Sequence, residues 1–75
     1  MIDVGAIENP ALRETVSLIV EDIEVLANMD PSLEKTHFAY QILSRIDDLG
    51  FQNYELISQL IDLHQKAVLR FKKAA

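Results

Sequence analysis

A chain of 75 residues has room for one domain and lies near the lower size at which a single core can sustain a fold. With no cysteine it can use neither disulfides nor thiolate zinc sites, and it has no cysteine nucleophile. Twelve acids against seven bases give a net charge of −5, so most of the surface repels phosphate backbones. Hydrophobic residues make up 49% of the chain, more than so small a core readily covers, which points to oligomerisation or docking onto another protein.

Residues 1–9 form a leader. Met1 to Glu8 has no basic lead and no long apolar run, and no stretch reaches the roughly 18 apolar residues of a membrane span. Neither a signal peptide nor a membrane segment is expected, and the expected location is cytoplasmic.

Asn9-Pro10 then opens a first helix over about 10–28, with Asn9 as N-cap and Pro10 at the first helical position. Its seam is Leu12, Val16, Ile19, Ile23 and Leu26, spaced 4, 3, 4, 3. A second apolar stripe, Ala11, Leu18, Val25 and Met29, runs beside it. Asp30-Pro31 repeats the opening device, and a second helix is expected over 31–49 with Ala39, Ile42, Ile46 and Leu49 in its seam. Gly50 reads as a left-handed C-cap, with Phe51 placed to touch Ile46. Asn53 is the expected N-cap of a third helix over 53–73, whose seam holds Ile57, Leu60, His64, Ala67, Phe71 and Ala74. Connections of a few residues force neighbouring helices antiparallel. The expected fold is therefore all-α, a single-domain, up-down-up three-helix bundle.

The apolar arcs of the first and third helices exceed ordinary surface width. Leu18, Val25, Met29, Leu33, Tyr40 and Phe71 are the surplus, and they are assigned to a partner interface. A second copy of the chain is the first choice, a partner's helix or groove the second.

Residues able to carry chemistry each have a plainer structural role. His64, mid-seam, has the functional reading of a pH-sensitive group or ligand. The expectation is a buried polar residue bonded to a carboxylate or carbonyl, with Asp22, another buried polar candidate, as its partner. Glu34-Lys35-Thr36-His37 has the Glu-x-x-His spacing of di-iron bundles, yet helical geometry turns Glu34 and His37 away from the core. A solvated first turn is expected and no metal. Thr15, Ser17, Ser44 and Ser58 lie in no nucleophile elbow, and no Gly-rich loop is present, so no catalytic residue or cofactor is assigned.

Residues 66–75 hold four bases and no acid. Lys66, Arg70, Lys72 and Lys73 form a basic patch that also complements a helix C-terminus. A helix-turn-helix across Gly50 would offer no base before Lys66, so nucleic acid is not the expected partner. Ser58-Gln59-Leu60-Ile61-Asp62 resembles, with a departure at Ile61, the Ser-Gln-x-Leu-Asp motif of small helical phosphatases acting on sporulation regulators. Its flanks do not follow, that family is a two-helix hairpin, and no family is assigned.

The sequence thus leads to a non-enzymatic protein-interaction or regulatory module that forms a homodimer or binds another protein through apolar helix faces. A nucleic-acid-associated factor using the basic patch is the alternative, and a helical metal-binding protein comes third.

Overall fold

A computed structural model describes residues 3–50 and 53–70, and these are helical with no strand among them. A 3₁₀ turn, Val4–Ala6, precedes α1 (Pro10–Ala27), α2 (Leu33–Asp47) and α3 (Tyr54–Leu69), and each long helix packs on the other two. The leader is part of the fold: Val4 and Ile7 are half-buried against the core, and the 3₁₀ turn contacts α1.

Local chemistry sets each boundary. Asn9 caps α1 as expected: its Oδ1 accepts from the amides of Ala11 at 2.9 Å and Leu12 at 3.2 Å, and Pro10 fills the first position. The start of α2 differs from the sequence expectation. Asp30-Pro31 does not open the helix; Ser32 does, from an extended backbone, with its Oγ accepting from the Lys35 amide at 3.0 Å. A serine at the N-cap satisfies the amide three residues on, which a serine inside the first turn would not do.

The last turn of α2 tightens as the Leu49 amide donates to the Ile46 carbonyl at 3.1 Å and the Gly50 amide to that of Asp47 at 3.3 Å. Regular helix therefore stops at Asp47, two residues short of the expected end. Gly50 follows at φ +81°, in the left-handed region that a Cβ disfavours. The expected touch of Phe51 on Ile46 lies outside the described residues. Asn53 does not cap α3 with its side chain; its Nδ2 instead donates to the Leu49 carbonyl at 2.7 Å, satisfying a half-buried carbonyl just past the end of α2. At the far end α3 stops at Leu69, earlier than expected, and Arg70 is extended at φ −77°, ψ 114°.

The core follows the seams. Val16, Ile19, Ile23 and Leu26 of α1 meet Ala39, Ile42 and Ile46 of α2 and Leu60 and Ala67 of α3, all buried. Leu12, Leu49 and Ile57 are half-buried at the margins. Phe71 and Ala74 lie outside the described residues. Burial of these side chains is the main driving force for the assembly.

Removing part of a fully enclosed side chain tests this packing. Ile42→Ala should cost roughly 2–5 kcal/mol, whereas Tyr40→Ala at an exposed position of the same helix should cost far less. Urea unfolding followed by circular dichroism measures both, and equal losses would mean that Ile42 does not anchor the core.

Candidate functional site

Two clefts open along the junction of α2 and α3. The upper one has a volume of about 480 Å³ and is lined by Ser32, Lys35, Thr36, Ala39, Tyr40 and Leu43, with Pro31 before α2 and His64, Val68 and Leu69 on α3. The lower one, about 420 Å³, shares Tyr40 and Leu43 and adds Ser44, Ile46, Asp47, Ile57 and Ile61. The upper cleft lies where the side chains at the α2–α3 contact are small or polar. At the upper level, α2 meets α3 through Ala39 and His64 rather than through two large aliphatic side chains.

His64 is buried, and its Nε2 lies 2.8 Å from the Ala39 carbonyl oxygen. A carbonyl was one of the two partners anticipated for it, but Asp22 is not that partner. Asp22 instead forms an ion pair with Arg45, joining α1 to α2 with both side chains more than a third exposed. The guanidinium of α2 faces α1 while His64 faces Ala39, so the carboxylate goes to the stronger, charged donor.

The side chain that the sequence did not single out is Lys35. It lies in the first turn of α2 and is 4% exposed. Its Nζ donates to the Arg70 carbonyl at 2.8 Å and to that of Met29 at 3.4 Å. These carbonyls lie just past the C-terminal ends of α3 and α1, where helix dipoles favour a cation. One ammonium therefore binds the ends of two helices to the beginning of the third. The only available sequence signal is indirect: at i−4 from Ala39 and i−7 from Ile42, Lys35 continues the apolar seam of α2.

The other candidates are scattered. Leu18, Val25, Leu33 and Tyr40 are exposed, Leu33 at 89% and Tyr40 at 69%. Met29 is half-buried against the core. Tyr40 lines both clefts; Leu18, Val25, Met29 and Leu33 line neither. Leu43, Ile61 and Leu69 are further exposed apolar residues at the cleft walls. Glu34 and His37 are exposed, and Gln41 Nε2 lies 3.2 Å from His37 Nε2. Among the described residues no group of three or more side chains could hold a metal ion, and no helix is long and apolar enough to cross a membrane. Lys66 pairs with Asp62 at 2.9 Å one turn before it, and Arg70 is exposed. Phe71, Lys72 and Lys73 lie outside the described residues.

The class of protein this defines is a small three-helix bundle with an apolar groove between its second and third helices. Among known proteins, no family model, curated protein or solved structure matches the chain at a significant level.

The Lys35 interaction has a measurable contribution. Lys35→Ala should destabilise the fold by roughly 1.5–3 kcal/mol, the range for hydrogen bonds from a charged donor, and Lys35→Met should recover part of that by restoring the packed stem. Chemical denaturation of the two variants compares them. A Lys35→Met protein as stable as the unsubstituted chain would show that the ammonium contributes nothing net.

Proposed function

We propose that this chain is a non-enzymatic protein-interaction module built as an up-down-up bundle, and that its first partner is a second copy of itself. The observation that carries the reading is the concentration of exposed apolar side chains along one junction. Tyr40, Leu43 and Ile61 stand at the walls of the lower α2–α3 cleft, in a chain too short to enclose them. A two-fold dimer sets the same patch against itself, and an apolar groove with few charges at its centre suits that arrangement. Lys35 supports the up-down-up path, since its Nζ at the start of α2 reaches carbonyls following both α1 and α3.

Ser32, Lys35, Thr36 and His64 of the upper cleft are engaged in backbone bonds, which supports a binding rather than a catalytic role. Ser32 Oγ accepts from the Lys35 amide, Thr36 Oγ1 donates to the Ser32 carbonyl at 3.2 Å, and His64 is bonded to Ala39. A nucleophile and its base would have to give up these bonds to meet.

Sedimentation equilibrium at micromolar concentration should give about twice the chain mass of 8.5 kDa. Ile61→Glu, a change at a cleft wall rather than in the core, should return the mass to that of a single chain with helicity retained. A single-chain mass for the unsubstituted protein throughout the concentration range would overturn self-association and leave a different protein as the partner.

A further inference from the structure

We propose that the upper cleft binds a small carboxylate with a linear aliphatic tail, a free fatty acid in chemical class, and that His64 recognises its head. This goes beyond the dimer reading and does not rest on it, because the dimer is argued from the lower cleft and this site is complete within one chain.

The recognition of the head starts from the imidazole. A carbonyl oxygen only accepts, so the bond between His64 and the Ala39 carbonyl places a hydrogen on Nε2 and leaves Nδ1 as the second functional atom. Among the described residues Nδ1 has no hydrogen-bond partner. Yet none of their fully buried side-chain nitrogens or oxygens lacks one, so Nδ1 is not sealed inside the bundle. His64 is only 8% exposed and lines the upper cleft, so the opening that Nδ1 faces is the cleft. One unspent nitrogen held in an apolar recess is the kind of placed polar group that orients a ligand.

Electrostatics select the sign of that ligand. None of the twelve acids lines the upper cleft, whereas Asp47 lines the lower one. Lys35 contributes a buried positive charge, and Pro31 and Ser32 bring the positive end of the α2 dipole to the rim. The titratable groups that face His64 across the cleft are Lys35 and Tyr40 of α2. α1 supplies no residue to the cleft, its Asp22 being paired with Arg45, and α3 adds no other titratable group. An arriving carboxylate therefore meets no like charge. It is matched when Nδ1 takes a proton from the solvent and donates it in a charge-assisted hydrogen bond. The tail has aliphatic walls in Ala39, Leu43, Val68 and Leu69, within a volume of about 480 Å³. The cleft shares Tyr40 and Leu43 with the lower one, and a linear chain follows such a course better than a compact ring does.

Octanoate is the probe. Titrated into the isotope-labelled full-length protein, it should shift the amide resonances of Thr36, Ala39, Tyr40 and Val68 and the ring signals of His64, leaving Leu18 and Val25 of α1 unperturbed. Octanol, with the same tail and no charge, should bind roughly tenfold more weakly. Calorimetry in buffers of different ionisation enthalpy should record net proton uptake with octanoate, so its affinity rises as the pH falls towards the range in which an imidazole protonates. His64→Gln should abolish the uptake. Leu69→Glu, at a 70% exposed wall, should weaken octanoate and spare octanol with helicity unchanged. Octanol binding as tightly as octanoate, binding without proton uptake, or shifts confined to other surfaces overturns the proposal. So do cleft residues that respond to dilution but not to octanoate, which would assign the cleft to a second copy. A protein that is a single chain throughout yet gives these responses refutes the dimer and leaves this inference standing.

Discussion

The arrangement depends on where one positive charge is placed. Lys35 lies in the first turn of α2, a location where its own helix dipole disfavours a cation, and it is almost wholly removed from water. Two other helices offset that cost. The carbonyls of Met29 and Arg70 present the negative ends of α1 and α3 to the same ammonium. The contact constrains register as well as energy, since a slip of α2 by one helical turn, about 5.4 Å, would carry the ammonium away from both acceptors. Apolar side chains alone set no such limit, because one aliphatic residue can often replace another in a seam.

The same end of the bundle explains why the upper cleft exists. Below it, Ile42, Ile46 and Leu60 fill the interior with fully buried side chains. At the level of Ala39 the filling is a methyl group and an imidazole, and the imidazole reaches across to the Ala39 carbonyl. A polar bond between α2 and α3 thus replaces part of an aliphatic contact, and the helices leave a cleft open beside it. On the other side of α2, Arg45 meets Asp22 of α1 at a partly exposed position, where an ion pair adds little stability but orients the two helices.

Periodicity made most of the architecture legible. The seam of α1 appears in the sequence almost residue for residue, because helical spacing and aliphatic composition agree there. The Asn9 cap and the left-handed Gly50 were readable for the same reason: each is a local solution to a local backbone problem. The failures share a cause too. Ser32 and Asp30 are both good caps, and composition does not decide which backbone becomes extended. Asn53 has a donor as well as an acceptor, and the nearby Leu49 carbonyl claimed the donor. Asp22 pairs with Arg45 rather than with His64 as expected, because helical angles place it between two stripes without showing that Arg45 reaches it. Lys35 was hidden most completely. A lysine in the first turn of a helix reads as solvated, and only the convergence of two distant carbonyls makes its burial tolerable. The groove is only partly visible in the sequence: Tyr40 reads as surplus, whereas Leu43, Ile61 and Leu69 gain meaning only when α2 and α3 lie side by side.

The burial of Lys35 also divides the lysines by chemical accessibility. Lys66, at 73% side-chain exposure, presents its amine to solvent, while the amine of Lys35 is enclosed by carbonyl oxygens and neighbouring helices. Acylating reagents and acetyltransferases that work on folded proteins meet the first and not the second. An acyl group added to Lys35 before folding would remove the charge and enlarge the side chain at the point where three helix ends converge. Such a chain would carry a lasting chemical record of having been modified while open.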